Sequence, residues 1–145
     1  MKSSLIYLAQ SDTTVGFLSK DKEALANTKE RPPLKPFVMC VDSFRTLQEF
    51  VRVPKKYKNR IRKSEKTTFV LGKQAYRVVQ NSEHQEFLKK YRWMYSSSAN
   101  KSGQNYDEVF AKDKANMIVE DNRGLKETTP SKIYKLTNNK SKRLR

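Results

Sequence analysis

The chain has 145 residues and a formal net charge of +16, which allows one domain with its own core and leaves no room for two. No stretch approaches the ~18 apolar residues of a membrane span, so neither a membrane segment nor a signal peptide is expected. An excess of 31 Lys and Arg over 15 Asp and Glu indicates a polyanionic partner, unless the whole proteome of the source is basic. The single cysteine, Cys40, leaves no internal disulfide and fits a cytoplasmic location.

In chain order, short apolar runs alternate with segments of helical spacing. Strands are predicted over residues 4–9, 15–18, 37–41, 68–71, 76–79, 93–96, 117–119 and 133–136. Helices are predicted over residues 22–28 after Asp21, from Ser43 through Val51, over 82–91 behind a Ser82/Gln85 capping box and over 107–114, with residues 55–63 a helix or a loop. Interleaved strands and helices predict an α/β domain around a mixed sheet. We assign residues 1–137 to this domain and residues 138–145 to a basic C-terminal tail.

Several familiar catalytic patterns are missing from the sequence. There is no Walker loop, and four glycines are too few for a glycine-rich dinucleotide motif. One His and one Cys give no zinc site, so no bound metal is predicted and His84 is expected to face solvent from its helix.

Polar segments remain at the ends of predicted strands. They are residues 11–14, residues 29–32, the Thr68 and Arg77 strand pair, and residues 97–103. Hydroxyls and an amide beside a glycine suit a pocket for phosphate oxygens, and Lys29 and Arg31 are spaced to form one cationic clamp. Taken singly, each segment is also compatible with ordinary turn chemistry. Two cations beside Pro32 are expected to contribute little to folding.

Taken together and in this order, the segments resemble the YrdC family, the threonylcarbamoyl-AMP synthases. The family's opening Pro-Thr-Asp/Glu-Thr-x-Tyr-Gly-Leu corresponds to residues 10–17, and its Lys-x-Arg-Pro is intact at residues 29–32. Its Arg-Val strand matches Arg77 and Val78, and its Ser-Ala-Asn-x-Ser-Gly is present whole at residues 98–103. Its closing Ser-Thr-Val/Ile reads Ser131-Lys132-Ile133, with Arg143 and Arg145 as candidate terminal arginines.

The resemblance implies an open twisted sheet and a defined activity. Such proteins join threonine, bicarbonate and ATP, with Mg²⁺ brought in by the ATP, into threonylcarbamoyl-AMP and pyrophosphate. A partner threonylcarbamoyl transferase then modifies an adenosine of tRNA. By position, Lys29 and Arg31 would be the catalytic cations, and Thr13 and Arg77 would hold threonine. The nucleotide would be bound by Thr68, Ser98, Asn100, Ser131 and Arg143.

The chain also departs from the family pattern as a short, divergent member. The first motif has Gln10 and Val15 in place of its Pro and Tyr, and residues 64–66 replace a Pro-Gly-Pro. Lys132 replaces a threonine in the closing motif. A non-catalytic RNA-binding protein of the same fold is the alternative function, and a ribosome-associated structural protein is a third.

Basic residues concentrate in two stretches that suit tRNA or double-stranded RNA, one from Arg52 to Lys66 and one from Lys132 to Arg145. Between Arg52 and Lys66 the one acidic residue is Glu65, and the candidate RNA-binding residues are Lys55, Lys56, Lys58, Arg60, Arg62 and Lys63. Tyr57 and Tyr134 could stack on bases or belong to the core. A solvated charge run is the plainer interpretation of the same stretch.

Overall fold

Nine strands and six helical segments occur within residues 4–30, 37–80 and 83–145, the parts of the chain that the computed structural model describes. The strands are β1 (Tyr7–Gln10), β2 (Val15–Ser19), β3 (Val38–Val41), β4 (Thr67–Leu71), β5 (Gln74–Val78), β6 (Trp93–Ser98), β7 (Met117–Val119), β8 (Lys132–Leu136) and β9 (Ser141–Arg143). The helices are α1 (Lys22–Lys29), α2 (Phe44–Leu47), a 3₁₀ helix (Lys55–Tyr57), α3 (Lys58–Lys63), α4 (Glu83–Lys89) and α5 (Glu108–Lys114).

All nine strands belong to one mixed sheet, in the order β7-β1-β2-β6-β3-β5-β4-β8-β9. Neighbours pair in parallel at β1–β7, β3–β5 and β4–β8, and the other neighbouring pairs are antiparallel. The predicted α/β class with a mixed sheet is confirmed. None of the helices in the described ranges has the length and apolar composition needed to cross a membrane.

The sheet has two different faces, because successive side chains of a strand point to opposite sides. The helical face carries Phe17, Met39, Phe69 and Tyr76, which pack against side chains of α1, α2, the 3₁₀ helix and α3. The opposite face is called the cavity face, because it borders the cavity described in the next section. It carries Leu18, Cys40 and Met94, which pack against Leu88 of α4. Cys40 lies opposite both Met94 and Arg77 in the strand register, so the predicted site strand β5 presents Arg77 on the cavity face.

Helices α1 and α2 begin directly after the residues predicted to cap them. The Asp21 carboxylate accepts the backbone N–H groups of Glu23 and Ala24 at the start of α1, and Ser43 caps α2 through the N–H of Thr46. The helix predicted from Ser43 to Val51 is wrong in length, because α2 has four residues and ends at Leu47. Ser82 of the predicted capping box lies outside the described residues.

The C-terminal end forms a strand where the sequence predicts a basic tail. β9 pairs antiparallel with β8, so that Arg143 lies opposite Tyr134. The N–H groups of Leu144 and Arg145 both donate to the carbonyl of Ile133, at 2.7 and 3.2 Å, which is the pattern of a β-bulge. The sequence gives little signal for β9 because its side chains are exposed and show no apolar alternation.

Candidate functional site

A cavity of about 410 Å³ lies on the cavity face, between the turn after β1 and the strands β2 to β6 and β8. Eight residues with hydroxyl side chains line it: Ser11, Thr13, Thr14, Thr68, Ser96, Ser97, Ser98 and Ser131. Two guanidinium groups, those of Arg77 and Arg145, also line it. Such a lining supplies hydrogen-bond donors and positive charge, which suit an anionic ligand.

A buried ion pair connects the β1–β2 turn to the middle of the sheet. Arg77 Nε lies 3.1 Å from Asp12 Oδ1, and the two side chains are 7% and 6% exposed. Arg77 Nη1 lies 3.5 Å from Thr68 Oγ1, and that hydroxyl is 2.8 Å from Ser131 Oγ. Five residues predicted for the site lie around the cavity: Thr13, Thr68, Arg77, Ser98 and Ser131.

Arg123, which the sequence does not single out, holds the β1–β2 turn in place. Its Nη1 and Nη2 each donate to a backbone carbonyl, of Ser11 and Gln10 respectively, at 2.9 Å. Nη2 also lies 2.7 Å from Asp121 Oδ2. Arg123 therefore fixes the turn that carries Asp12, although it belongs to no motif and could be found only from the fold.

Lys29 lies beneath the loop that follows β6 and not among the residues that line the cavity. It is 2% exposed, and its ammonium donates to Ser98 O at 2.6 Å, Asn100 O at 2.9 Å and Asn100 Oδ1 at 3.1 Å. An ammonium has three protons, so these acceptors occupy all of them. This buried and bonded charge argues against the expectation that Lys29 matters little for folding. Arg31 and Pro32 lie outside the described residues.

The two terminal arginines lie on opposite faces of the sheet. The Arg143 guanidinium is 5.9 Å from the centre of the Tyr134 ring, on the helical face. After the bulge, Arg145 returns to the cavity face, where its Nε donates to Ser131 O at 2.9 Å and its Nη2 to Ser131 Oγ at 3.2 Å. Burial, and then the charge of Arg77, lower the pKa of Arg145. The geometry therefore places Arg145, and not the predicted Arg143, beside Ser131, one of the residues predicted to bind the nucleotide.

His84 is buried, so the prediction that it faces solvent is wrong. It is 1% exposed on α4, and neither ring nitrogen has a hydrogen-bond partner among the described residues. Burial lowers its pKa to about 4, with opposing contributions from Asp12, which raises it, and Arg77, which lowers it. The ring stacks on Phe87 three residues along the helix, at 6.2 Å between ring centres. The prediction failed because it assumed that a polar histidine side chain would point to solvent.

The candidate RNA-binding residues form a basic cluster beside the helical face. Its members are the six residues named above: Lys55, Lys56, Lys58, Arg60, Arg62 and Lys63. Arg60 lies 4.6 Å from the centre of the Tyr134 ring, and its Nη1 donates to Ser141 Oγ at 2.8 Å. Tyr57 is buried in the core, so it is not available for stacking, whereas Tyr134 is partly exposed between arginines.

A family model described as telomere recombination, for Sua5, YciO and YrdC, matches residues 16–145. The chain belongs to the Sua5/YciO/YrdC family. The match includes every predicted site residue except Thr13, which lies just before it. No curated protein matches this family member significantly in sequence.

Solved structures share the fold of this Sua5/YciO/YrdC protein. P. abyssi Sua5 complexed with L-threonine is 20% identical with a TM-score of 0.80, over 98% of this chain and 50% of that one. E. coli YciO is 18% identical with a TM-score of 0.77, over 97% and 82%. Full-length HypF in its phosphate- and nucleotide-bound form is 15% identical with a TM-score of 0.72, over 98% and 27%. The chain thus spans about half the length of Sua5, and at these identities the likeness shows the fold.

Replacing Lys29 tests its role in the Ser98–Asn100 loop. We expect Lys29→Ala to lower the free energy of unfolding by about 2–4 kcal/mol, because it leaves buried acceptors unsatisfied. The melting temperature should fall on the order of 10 °C. In the control Lys90→Ala, which removes an exposed lysine, stability should change by less than about 0.5 kcal/mol. Equal melting of the two variants would show that the Lys29 bonds contribute nothing.

The buried His84 predicts a loss of stability in mild acid. Its pKa is about 4 in the folded protein against an ordinary 6.5, so between these values the unfolded chain binds a proton that the folded chain does not. The free energy of unfolding should therefore decrease from pH 6.5 towards pH 4, by roughly 3 kcal/mol in total. Urea unfolding at several pH values measures this. His84→Leu should flatten the upper part of the curve, and an unchanged curve would contradict the prediction.

Proposed function

We propose that this protein joins L-threonine, bicarbonate and ATP into threonylcarbamoyl-AMP and releases pyrophosphate, supplying a partner transferase that modifies tRNA. The observation that carries the proposal is the hydroxyl-rich cavity with Arg77 and Arg145 in its lining. Membership in the Sua5/YciO/YrdC family supports it, as does the L-threonine complex of P. abyssi Sua5.

Threonine is assigned to the part of the cavity around Arg77. Asp12 holds the guanidinium by its Nε and Thr68 Oγ1 accepts from Nη1, which leaves Nη2 and the second proton of Nη1 to meet a carboxylate. Thr13 lines the same cavity and offers a hydroxyl to the amino acid. A buried arginine held by one carboxylate is an orienting device as well as a charge, because its plane cannot rotate freely.

The nucleotide is assigned to the hydroxyl groups of Thr68, Ser98 and Ser131, with Asn100 and Arg145 beside them. Phosphates carry the charge that Arg145 can meet, and Arg31 keeps the phosphate role that the family resemblance implies. Among the described residues no three His, Cys, Asp or Glu side chains converge as a metal site. We assign Mg²⁺ to the ATP phosphates and water.

The reaction needs positioned charge and no protein nucleophile. The amino group of threonine forms a C–N bond to the carbon of bicarbonate, the C–OH bond breaks, and the departing hydroxide takes a proton from the nitrogen and leaves as water. An oxygen of the resulting carbamate then attacks the α-phosphorus of ATP as the bond to pyrophosphate breaks. Negative charge gathers at the phosphates, where fixed cations stabilise it. Lys29 acts here as a positioning residue, since its ammonium shapes the Ser98–Asn100 loop. Arg31 is thus assigned to the phosphates and Lys29 to the loop, whereas the sequence led to the expectation that both cations contact the phosphates.

RNA is assigned to the basic cluster and the neighbouring strands β8 and β9. Arg60 and Arg143 flank Tyr134 on the helical face of the sheet. Cations interleaved with an aromatic ring suit phosphates and an unpaired base. The same surface supports the alternative of a non-catalytic RNA-binding protein, which the next experiment separates from the enzyme.

Threonine-dependent release of pyrophosphate from ATP and bicarbonate is the deciding measurement. The enzyme should release pyrophosphate only when threonine and bicarbonate are both present, with threonylcarbamoyl-AMP detected by mass spectrometry. Folded wild-type protein that binds RNA but releases no pyrophosphate would contradict the enzyme and favour the RNA-binding alternative.

Arg77→Lys tests the threonine site without leaving Asp12 unpaired in the core. Lysine keeps the charge but cannot form a bidentate pair, so the affinity for threonine should fall about 10–150-fold. ATP affinity should stay nearly unchanged in calorimetry. The control Arg92→Lys alters an exposed arginine and should leave both affinities unchanged. Unchanged threonine affinity in Arg77→Lys would restrict Arg77 to a structural role.

Binding to tRNA or duplex RNA should weaken steeply with salt. If ~4–6 phosphates are neutralised, the affinity should fall by roughly two to three decades between about 50 and 200 mM salt. Arg60→Gln/Arg62→Gln should lower the salt slope by about 2, whereas the control Lys112→Gln/Lys114→Gln on α5 should not. A flat salt response, or equal effects of the two variants, would contradict RNA binding at the basic cluster.

A further inference from the structure

The two edges of the sheet carry different kinds of side chain. The edge strand β9 contains Lys142 and Arg143, and charged side chains on an edge hinder pairing with a further strand. The opposite edge strand, β7, reads Met-Ile-Val and contains neither a charged residue nor a proline. Met117 is 51% exposed and Ile118 is 45% exposed. The β7 edge therefore lacks the features that protect a sheet from association with another strand.

The backbone of Ile118 points away from the sheet. β7 pairs with β1 in parallel, and the N–H of Met117 donates to the carbonyl of Ile6 at 3.1 Å. Backbone groups alternate in direction along a strand, so the N–H and C=O of Ile118, one residue further, face outward. In the described ranges no strand pairs with that outer side. Ile118 thus offers one donor and one acceptor to a strand of another molecule.

The side chains of β7 are self-complementary about a two-fold axis through Ile118. In antiparallel pairing centred there, Ile118 exchanges both backbone hydrogen bonds with its own copy, and Met117 lies opposite Val119 of the second copy. Met117 and Val119 lie on the cavity face, since they pair with Tyr7 and Ala9, whereas Ile118 lies on the other face. Apolar side chains of one copy therefore meet apolar side chains of the other on both faces.

Charge also restricts where two copies can meet. The chain has 31 Lys and Arg against 15 Asp and Glu, so most of its surface repels a second copy. Residues 107–127, which contain β7, have six acidic and four basic residues. Leu5, which is 44% exposed and lies two residues before β1, adds apolar surface near this edge. The β7 edge thus combines weak repulsion with exposed apolar side chains.

We propose that two copies of this protein associate through β7, antiparallel about a two-fold axis at Ile118, so that their sheets become continuous. The paired strand has three residues in each copy, so the dimer is weak and depends on protein concentration. No residue of β7 lines the main cavity, which therefore stays open in both copies. The β8–β9 surfaces of the two copies lie at opposite ends of the joined sheet. This association does not depend on the proposed catalysis.

Sedimentation velocity at increasing protein concentration measures the association. The mass of the wild type should rise from monomer to dimer, and at lower concentration in about 500 mM than in about 50 mM salt, because salt screens the repulsion between copies. Ile118→Lys places two like charges at the axis and should weaken association at least ~10-fold. The control Phe50→Lys, at a residue 41% exposed, should associate like wild type, since Phe50 contacts Trp93 of β6, three strands from β7.

Disulfide crosslinking tests the two-fold geometry with a variant that adds no charge. In Ile118→Cys the two thiols face each other across the axis, where Cα atoms of a hydrogen-bonded pair lie about 5.5 Å apart, within the range of a disulfide. Diamide, which takes up the two electrons and two protons released as the S–S bond forms, should convert this variant to a covalent dimer. Phe50→Cys should stay uncrosslinked, and Cys40 is buried in both.

The proposal is overturned by a wild type that stays monomeric at every concentration and salt. It is also overturned if Ile118→Cys and Phe50→Cys crosslink equally or not at all. Open chains of more than two copies would show β7 pairing with β9 of the next copy, which contradicts the two-fold contact. Thermal melts that match wild type establish that each variant is folded.

Discussion

The buried pair of Asp12 and Arg77 is the interaction around which the site is arranged. Either charge alone in this position would cost several kcal/mol, so the turn after β1 and the strand β5 are constrained to meet. Arg123 holds the same turn from outside through two backbone carbonyls. Because Asp12 offsets the charge of Arg77, Arg145 supplies much of the net positive charge that the cavity lining offers to an anionic ligand.

The alternation of side chains along the strands separates two kinds of chemistry. Ser131, just before β8, and Ile133 on β8 line the cavity, whereas Tyr134 lies on the helical face among arginines. Small substrates and RNA are thereby assigned to opposite sides of one sheet. Under the proposed function, we expect changes in the basic cluster to alter RNA affinity without disturbing the cavity, because the sheet and its core lie between them.

The strands and the helix caps could be predicted from sequence because their signals are local. Asp21 and Ser43 cap helices as expected, and β7 has the predicted bounds. Thr68, Arg77 and Ser131 converge as expected, since they lie at corresponding ends of neighbouring strands. The prediction for His84 failed because the orientation of α4 depends on long-range packing. No residue near His84 in the sequence indicates that this side chain points into the core.

Local sequence patterns also could not predict the register in which β9 pairs with β8. Arg143 and Arg145 are two residues apart, so an undistorted strand would place both on one face. One additional residue in the bulge opposite Ile133 reverses this, and it selects Arg145 for the cavity. A motif can therefore locate a terminal arginine to within a few residues, while the hydrogen bonds of the last strand decide which arginine reaches the site.

The end of α1 shows how a motif residue can act on the site without touching a ligand. Glu30 adopts a left-handed backbone, φ 53°, and ends the helix immediately after Lys29. Lys29 then binds the loop after β6 twice, by its ammonium to Ser98 and Asn100 and by its carbonyl to the N–H of Ser102 at 3.0 Å. The loop that presents Ser98 to the cavity thus takes its shape from the helix end. A lysine suits this position because one side chain with three protons can satisfy several carbonyls that converge from a turn, which no neutral side chain of similar reach can do.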